Sequence, residues 1–296
     1  MCLSWAAVTD SFVNVGALRL HYQEWGSASA PETVVLVHGV GSSCHIWDLT
    51  APLLADQSLR VLALDQRGHG ESDQPASGYD FMSVVADLAG FVEAVGIGQA
   101  VLVGHSWGAS VVLHFGVTHP ERTAGIALVD GGAASPGERW TWEDTEARLT
   151  PPNIDGQLWS DLQRRISRNN GAYVDPRAEA VGRSLFNVDN DGRVSRRFRI
   201  PNHMQVVRAL WEQRPAELLP RLNCPVLILP ARQSSDAGDW LANKVANVQR
   251  ALELQPAARV HWFEDTVHDV PLQRPAELAH ELRAFAQYVL AATTRR

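Results

Sequence analysis

The chain is expected to be an α/β protein built on a mostly parallel eight-stranded sheet. Two observations lead there. Short apolar runs alternate with longer amphipathic stretches along most of the 296 residues. Most of those runs, such as Val34-Val35-Leu36-Val37 and Val226-Leu227-Ile228-Leu229, are continuously apolar, as strands buried on both faces must be.

The elements follow in order. Phe12 to Val15 and Leu18 to Trp25 flank Gly16 and read as an opening hairpin. Strands are then expected at Val34–Val37, Val61–Leu64, Val101–Val103, Ile126–Val129, Val226–Leu229 and Val260–Phe263. Helical patterns fill the gaps: Ile46–Leu54, Phe81–Val95, Ala109–Val117, Trp240–Leu254 and Ala276–Ala291. The last carries Leu278, Leu282, Phe285 and Val289 on one stripe, which should dock on the sheet.

The rhythm breaks between residues 133 and 214. This stretch holds no run that reads as a buried strand and is far longer than a normal connection of about 4–6 residues. Helical pieces at Trp142–Leu149, Gln157–Ile166 and Met204–Trp211 alternate with turn signals at Asn169-Asn170-Gly171 and Asn190-Asp191-Gly192. It is read as a helical cap inserted into a core made of residues 1–132 and 215–296. Trp140, Trp142, Trp159 and Trp211 fall within it. They suit either an apolar or aromatic ligand or the packing of cap on core.

Composition narrows the function. Hydrophobic residues make up 45% and charged residues 20%, the balance of an ordinary globular protein. The net charge of −7 with no basic block argues against nucleic acid or an anionic membrane as partner. No apolar run reaches the roughly 18 residues of a membrane span. The N-terminus lacks the basic and apolar regions of a secretory signal. Cys2, Cys44 and Cys224 are odd in number and widely spaced, so a disulfide scaffold or zinc site is not expected. They should be small hydrophobes in a protein of the reducing cytoplasm. His and Asp are scattered without ligand spacing, so no metal and no cofactor is expected. Nothing in the sequence bears on oligomeric state.

The chemistry centres on Gly104-His105-Ser106-Trp107-Gly108, which follows a strand and opens a helix. A sharp strand-to-helix turn would strain the backbone at Ser106 and bring neighbouring chain too close for a Cβ at Gly104 and Gly108. Ser106 would then sit at a helix N-terminus, where free N–H groups favour developing negative charge. A serine hydroxyl needs a base. His268, between the last strand and the last helix, should project over the same sheet edge; His261 lies inside the expected last strand, and His105 and His69 sit in turns. The base in turn needs a carboxylate to hold its tautomer. Asp130 ends the strand after the nucleophile's helix, and Asp236 lies several residues into the loop after the next strand. A strand terminus positions a side chain better than mid-loop, so Asp130 is favoured and Asp236 kept as the alternative. Asp265 and Asp269 are too near His268 in sequence to orient it easily. Oxyanion donors are expected from the backbone of Trp107 and of Val40, in His38-Gly39-Val40-Gly41-Ser42.

These motifs together resemble the α/β-hydrolase superfamily over nearly all of the chain except the expected cap. His38-Gly39-Val40-Gly41 resembles its oxyanion loop, Gly104 to Gly108 its nucleophile elbow, and His268 its base. Asp65-Gln66-Arg67-Gly68-His69-Gly70-Glu71-Ser72 resembles its D-x-R-G-x-G-x-S turn, which is structural. The superfamily usually places the acid after the strand that here ends at Leu229, where this chain has Ser234; a subset uses the preceding strand, which Asp130 matches. The resemblance implies an α/β-hydrolase fold and a serine hydrolase acting on an ester or lactone of a small apolar or aromatic molecule. Haloalkane dehalogenase and epoxide hydrolase relatives use an aspartate nucleophile, so Ser106 argues against both activities. A prolyl-aminopeptidase-like activity fits Asp65-Gln66-Arg67-Gly68 but not the oxyanion loop, which lacks the H-G-G-P-G form. Carbon–carbon bond hydrolysis and a non-catalytic receptor remain alternatives.

Overall fold

The computed structural model describes residues 8–169 and 176–293. Cys2 and residues 170 and 171 of the expected Asn169-Asn170-Gly171 turn lie outside them. Among the described residues ten strands run in chain order: β1 Thr9–Val15, β2 Leu18–Trp25, β3 Glu32–Val37, β4 Leu59–Leu64, β5 Ala100–His105, β6 Thr123–Val129, β7 Phe186–Val188, β8 Val194–Arg196, β9 Val226–Leu229 and β10 Arg259–Val260. The helices are α1 Ala51–Leu54, α2 Phe81–Ala94, α3 Trp107–Thr118, α4 Trp142–Leu149, α5 Trp159–Asn169, α6 Pro176–Ser184, α7 Ile200–Glu212, α8 Pro215–Leu218, α9 Gly238–Leu254, α10 Val270–Gln273 and α11 Pro275–Thr293.

Eight strands form one sheet in the order β1-β2-β4-β3-β5-β6-β9-β10. The opening hairpin pairs antiparallel, β2 joins β4 antiparallel, and β4, β3, β5, β6, β9 and β10 run parallel to one another. Leu36, Val103, Ala127 and Leu229 face one layer of core with Phe285, Leu282 and Leu278 of α11. Val35, Leu102, Leu128 and Ile228 face the other, with Phe91 of α2 and Phe115 of α3. Burial of both faces is why these strands read as unbroken apolar runs.

Three expectations differ in detail. Ile46–Leu54 divides into a 3₁₀ turn at Cys44–Trp47 and the four-residue α1. Pro52, just inside α1, supplies no N–H and cannot continue a helix from the preceding turn. The last strand is only Arg259–Val260, so His261 lies past it and pairs with Glu277 at 3.0 Å. Between β6 and β9, β7 and β8 form a two-stranded hairpin around Gly192, whose φ of +74° is the turn geometry the Asn-Asp-Gly signal calls for.

That excursion is tied to the sheet-bearing part by side chains. Phe198 stacks on His69 at 3.7 Å between ring centres. Asn202 donates to the Tyr79 hydroxyl at 2.9 Å, and Gln213 to the Ser110 hydroxyl at 3.0 Å. Its tryptophans pack mainly on their own segment. Trp142 meets Trp211 edge-on at 6.1 Å, the Trp211 indole donates to the Trp140 carbonyl, and Trp159 lies 6.0 Å from Phe186.

Of the three cysteines, Cys44 is buried and free, and Cys224 is half-buried and free. Cys44 joins His21 and Asp65 in a buried trio whose potential ligand atoms lie within 4.8 Å of one another, a grouping their sequence spacing did not suggest. The trio is already hydrogen-bonded. Asp65 accepts from His21 Nδ1 at 2.8 Å, from Cys44 N at 2.6 Å and from Glu71 N at 3.0 Å. Burial pushes the Cys44 thiol well above its ordinary range and keeps it protonated. The trio knots β2, β4 and the loop after β3 together.

Candidate active site

The strand β5 ends at His105, and α3 begins at Trp107. Ser106 makes the turn between them with φ +57° and ψ −119°, a conformation that L side chains adopt only where the surroundings enforce it. The crossing is as tight as the motif implies. A Cβ at Gly104 would lie 2.2 Å from the Gly108 carbonyl oxygen, and one at Gly108 would lie 2.2 Å from that of Val37. Both contacts are with backbone, which cannot step aside cheaply. Gly104→Ala is therefore expected to lower stability by about 3 kcal/mol, read as a fall in the urea midpoint at unchanged m.

β6 delivers the carboxylate of Asp130. Asp130 follows Val129, hydrogen-bonds through its N–H to Leu229 O at 3.0 Å, and turns out of the strand with φ +43°. Its side chain is 4% exposed. Ala231 N donates to Oδ1 at 2.9 Å and fixes the carboxylate against the neighbouring strand.

The loop between β10 and α10 delivers the imidazole. His268 Nδ1 donates to Asp130 Oδ2 at 2.6 Å, and the Ser106 hydroxyl donates to His268 Nε2 at 2.9 Å. Ser106, His268 and Asp130 thus form one continuous hydrogen-bonded relay from residues 162 and 138 positions apart in sequence. Asp236 stands elsewhere: its carboxylate accepts from Gln233 N at 2.7 Å and closes its own turn. Ser234, where the superfamily usually has its acid, donates its N–H to Asp265.

Charge follows geometry. Burial drives Asp130 upward, but the hydrogen bond and charge of His268, with Lys244 and Ala231 N, bring it down to about 2. Desolvation pulls His268 downward, yet the hydrogen bond and charge of Asp130 outweigh it and leave the imidazole above its ordinary 6.5. A base must be neutral to accept a proton. The acid limb of the kcat/KM profile should therefore fall above pH 6.5, with activity lost as pH drops through it. A limb below pH 6.5 would contradict this electrostatic picture.

The loop His38–Ser42 passes beside the serine. A Cβ on Gly39 would come within 2.9 Å of Ser106 Cβ and 3.4 Å of its Oγ, which explains the glycine. The D-x-R-G-x-G-x-S turn holds this loop from below. Gln66 N donates to His38 Nε2 at 3.1 Å, Gln66 Nε2 to His38 O at 2.8 Å, and Gly41 N to His69 Nε2 at 3.0 Å. Burial lowers both His38 and His69, so each is neutral with an acceptor nitrogen free for these bonds. Val40 sits between the pinned ends. Trp107, first residue of α3, has an N–H with no intrahelical partner.

Two residues at the site carried little sequence signal. His105 donates from Nε2 to the His268 carbonyl at 2.9 Å and links the serine turn to the imidazole's loop. Burial lowers it to about 4, so it is neutral in that role. Lys244 of α9 places Nζ 2.6 Å from Asp130 Oδ1. Its only mark in the sequence is being the sole lysine. A cavity of about 370 Å³ opens beside the relay, lined by Asp130, His268, Trp140, Trp240, Arg139 and Lys244.

The profile of the Alpha/beta hydrolase family matches residues 34–281, and the chain belongs to that family. It is 41% identical over 203 residues to epoxide hydrolase A of Mycobacterium tuberculosis, covering 64% of this chain and 63% of that protein. It is 29% identical over 169 residues to 2-(acetamidomethylene)succinate hydrolase of Mesorhizobium japonicum, covering 57% and 58% respectively. The chain thus spans less than two thirds of the length of these relatives. Among solved structures, an E-2-(acetamidomethylene)succinate hydrolase superposes with a TM-score of 0.78 at 23% identity, over 95% of this chain and 100% of that one. Among the described residues no helix is long and apolar enough to cross a membrane.

Proposed function

We propose that this hydrolase cleaves a carboxylic ester or lactone of a small apolar or aromatic molecule through an acyl-enzyme, with residues 133–214 acting as a cap over the site. The observation that carries the reading is the relay itself, Ser106 to His268 at 2.9 Å and His268 to Asp130 at 2.6 Å. His268 takes the Ser106 proton as Oγ attacks the substrate carbonyl, and the imidazolium is held by Asp130. The N–H groups of Val40 and Trp107 receive the oxyanion. His268 then protonates the departing alcohol, and a water activated by the same ring releases the acid. The cavity beside Trp140 and Trp240 offers an apolar wall for one arm of the substrate. No step requires a cofactor or metal.

Epoxide opening, which the name of the mycobacterial relative invites, fits this nucleophile poorly. A carboxylate that opens an epoxide becomes an ester, whose carbonyl water can attack. A serine would become an alkyl ether, which has no such carbonyl, and turnover would stop after one event. The test is labelling by a fluorophosphonate probe together with turnover of p-nitrophenyl esters, lactones, prolyl arylamides and styrene oxide. Labelling at Ser106 with ester or lactone turnover is expected. Folded protein that neither labels nor turns over esters would favour a receptor, and multiple turnover of the epoxide would overturn the ester reading.

A further inference from the structure

Asp130 divides its two oxygens between different neighbours. Oδ2 accepts only from His268 among the bonds described above, while Oδ1 accepts from Ala231 N at 2.9 Å and lies 2.6 Å from the Lys244 ammonium. A carboxylate turns easily about its terminal torsion, which is broad and two-fold. With two donors on one oxygen, exchanging the pair means breaking both bonds at once. Lys244 is itself placed by α9, four residues after Trp240, whose ring lies 4.9 Å from Nζ. Cavities of about 170 Å³ and 370 Å³ open near the carboxylate, and Asp130 and Lys244 line both.

We propose that Lys244 is a positioning residue for the reaction: it locks Asp130 through Oδ1, reserves Oδ2 for His268, and sets the pH range in which the imidazole works. The inference rests on the serine-hydrolase reading of the same site. Asp130, Asp269, Lys244 and His105 act on His268. Asp130 and Asp269 favour its protonated form, Lys244 opposes it, and His105 is neutral. Removing the ammonium takes away its opposition to the imidazolium, so the ring protonates at a higher pH and the acid limb moves upward.

The experiment compares Lys244→Met, Lys244→Gln and Lys244→Arg with the parent in the full chain. One readout is the pH dependence of the rate at which a fluorophosphonate labels Ser106. The other is the titration of the His268 ring by NMR in protein labelled with ¹³C-histidine, assigned through His268→Gln. Lys244→Met should slow labelling about tenfold at pH 7 and raise both midpoints by about half a pH unit or more. Lys244→Gln, which keeps a donor but no charge, should raise the midpoints with a smaller loss of rate, and it serves if the Met variant does not fold. Lys244→Arg should restore the parental midpoints. Midpoints unmoved in the folded neutral variants, whatever happens to Tm, would overturn the proposal. A parent that never labels would sink the serine-hydrolase reading instead, while the NMR titration would still decide what Lys244 does to the ring.

Discussion

Ser106→Ala should lower kcat for p-nitrophenyl ester hydrolysis by about 10⁴-fold or more. The change removes one oxygen and the bond it donates to His268 at 2.9 Å. It leaves the strained turn in place, because φ +57° is enforced by the backbone crossing at Gly104 and Gly108 rather than by the hydroxyl. Tm should therefore stay within about 2 °C of the parent. The combination matters: a large kinetic loss at constant stability assigns the hydroxyl to the chemistry. A loss below about tenfold would mean that ester cleavage occurs elsewhere.

The second large effect separates the two acids. Asp130→Asn should reduce kcat by about 10⁴-fold, the cost of an amide that no longer selects the imidazole tautomer. Asp236→Asn should stay within about twofold, since its carboxylate only closes a turn on Gln233. Asp130→Asn should also destabilise the fold, because the 4% exposed amide can no longer balance the Lys244 charge at 2.6 Å. Steady-state kinetics of both variants on one ester settle the point. Collapse on changing Asp236 alone would reverse the assignment.

Much of this was legible from residue order. Strands buried on both faces announce themselves as apolar runs, and β3, β5 and β9 lie where Val34–Val37, Val101–Val103 and Val226–Leu229 place them. The serine turn was readable because its glycines answer to backbone crossings that leave no alternative residue. Asp130 over Asp236 followed from a mechanical preference for strand ends, and Asp130 is the carboxylate that meets His268. Other features lay beyond such reasoning. β7 and β8 are three residues each and half exposed, so they leave no hydrophobic period to read. β10 pairs through two residues at the sheet edge, too few for the run at Val260–Phe263 to register as a short strand. The contact of Lys244 with Asp130 spans 114 positions and depends on how α9 lies against β6. A lone lysine in a helix reads as a solvated side chain unless the partner across space is known.

The bracing of the loop at His38–Ser42 has a last consequence. Its bonds to Gln66 are buried and its bond to His69 is half-buried, and all are made by groups of the folded chain itself. Val40, whose amide is one of the two proposed to receive charge, is thus held between fixed neighbours from the moment of folding. Rigidity of that kind also makes the region brittle. Damage to the imidazole at position 69 should spoil catalysis from underneath, without touching any atom that meets the substrate.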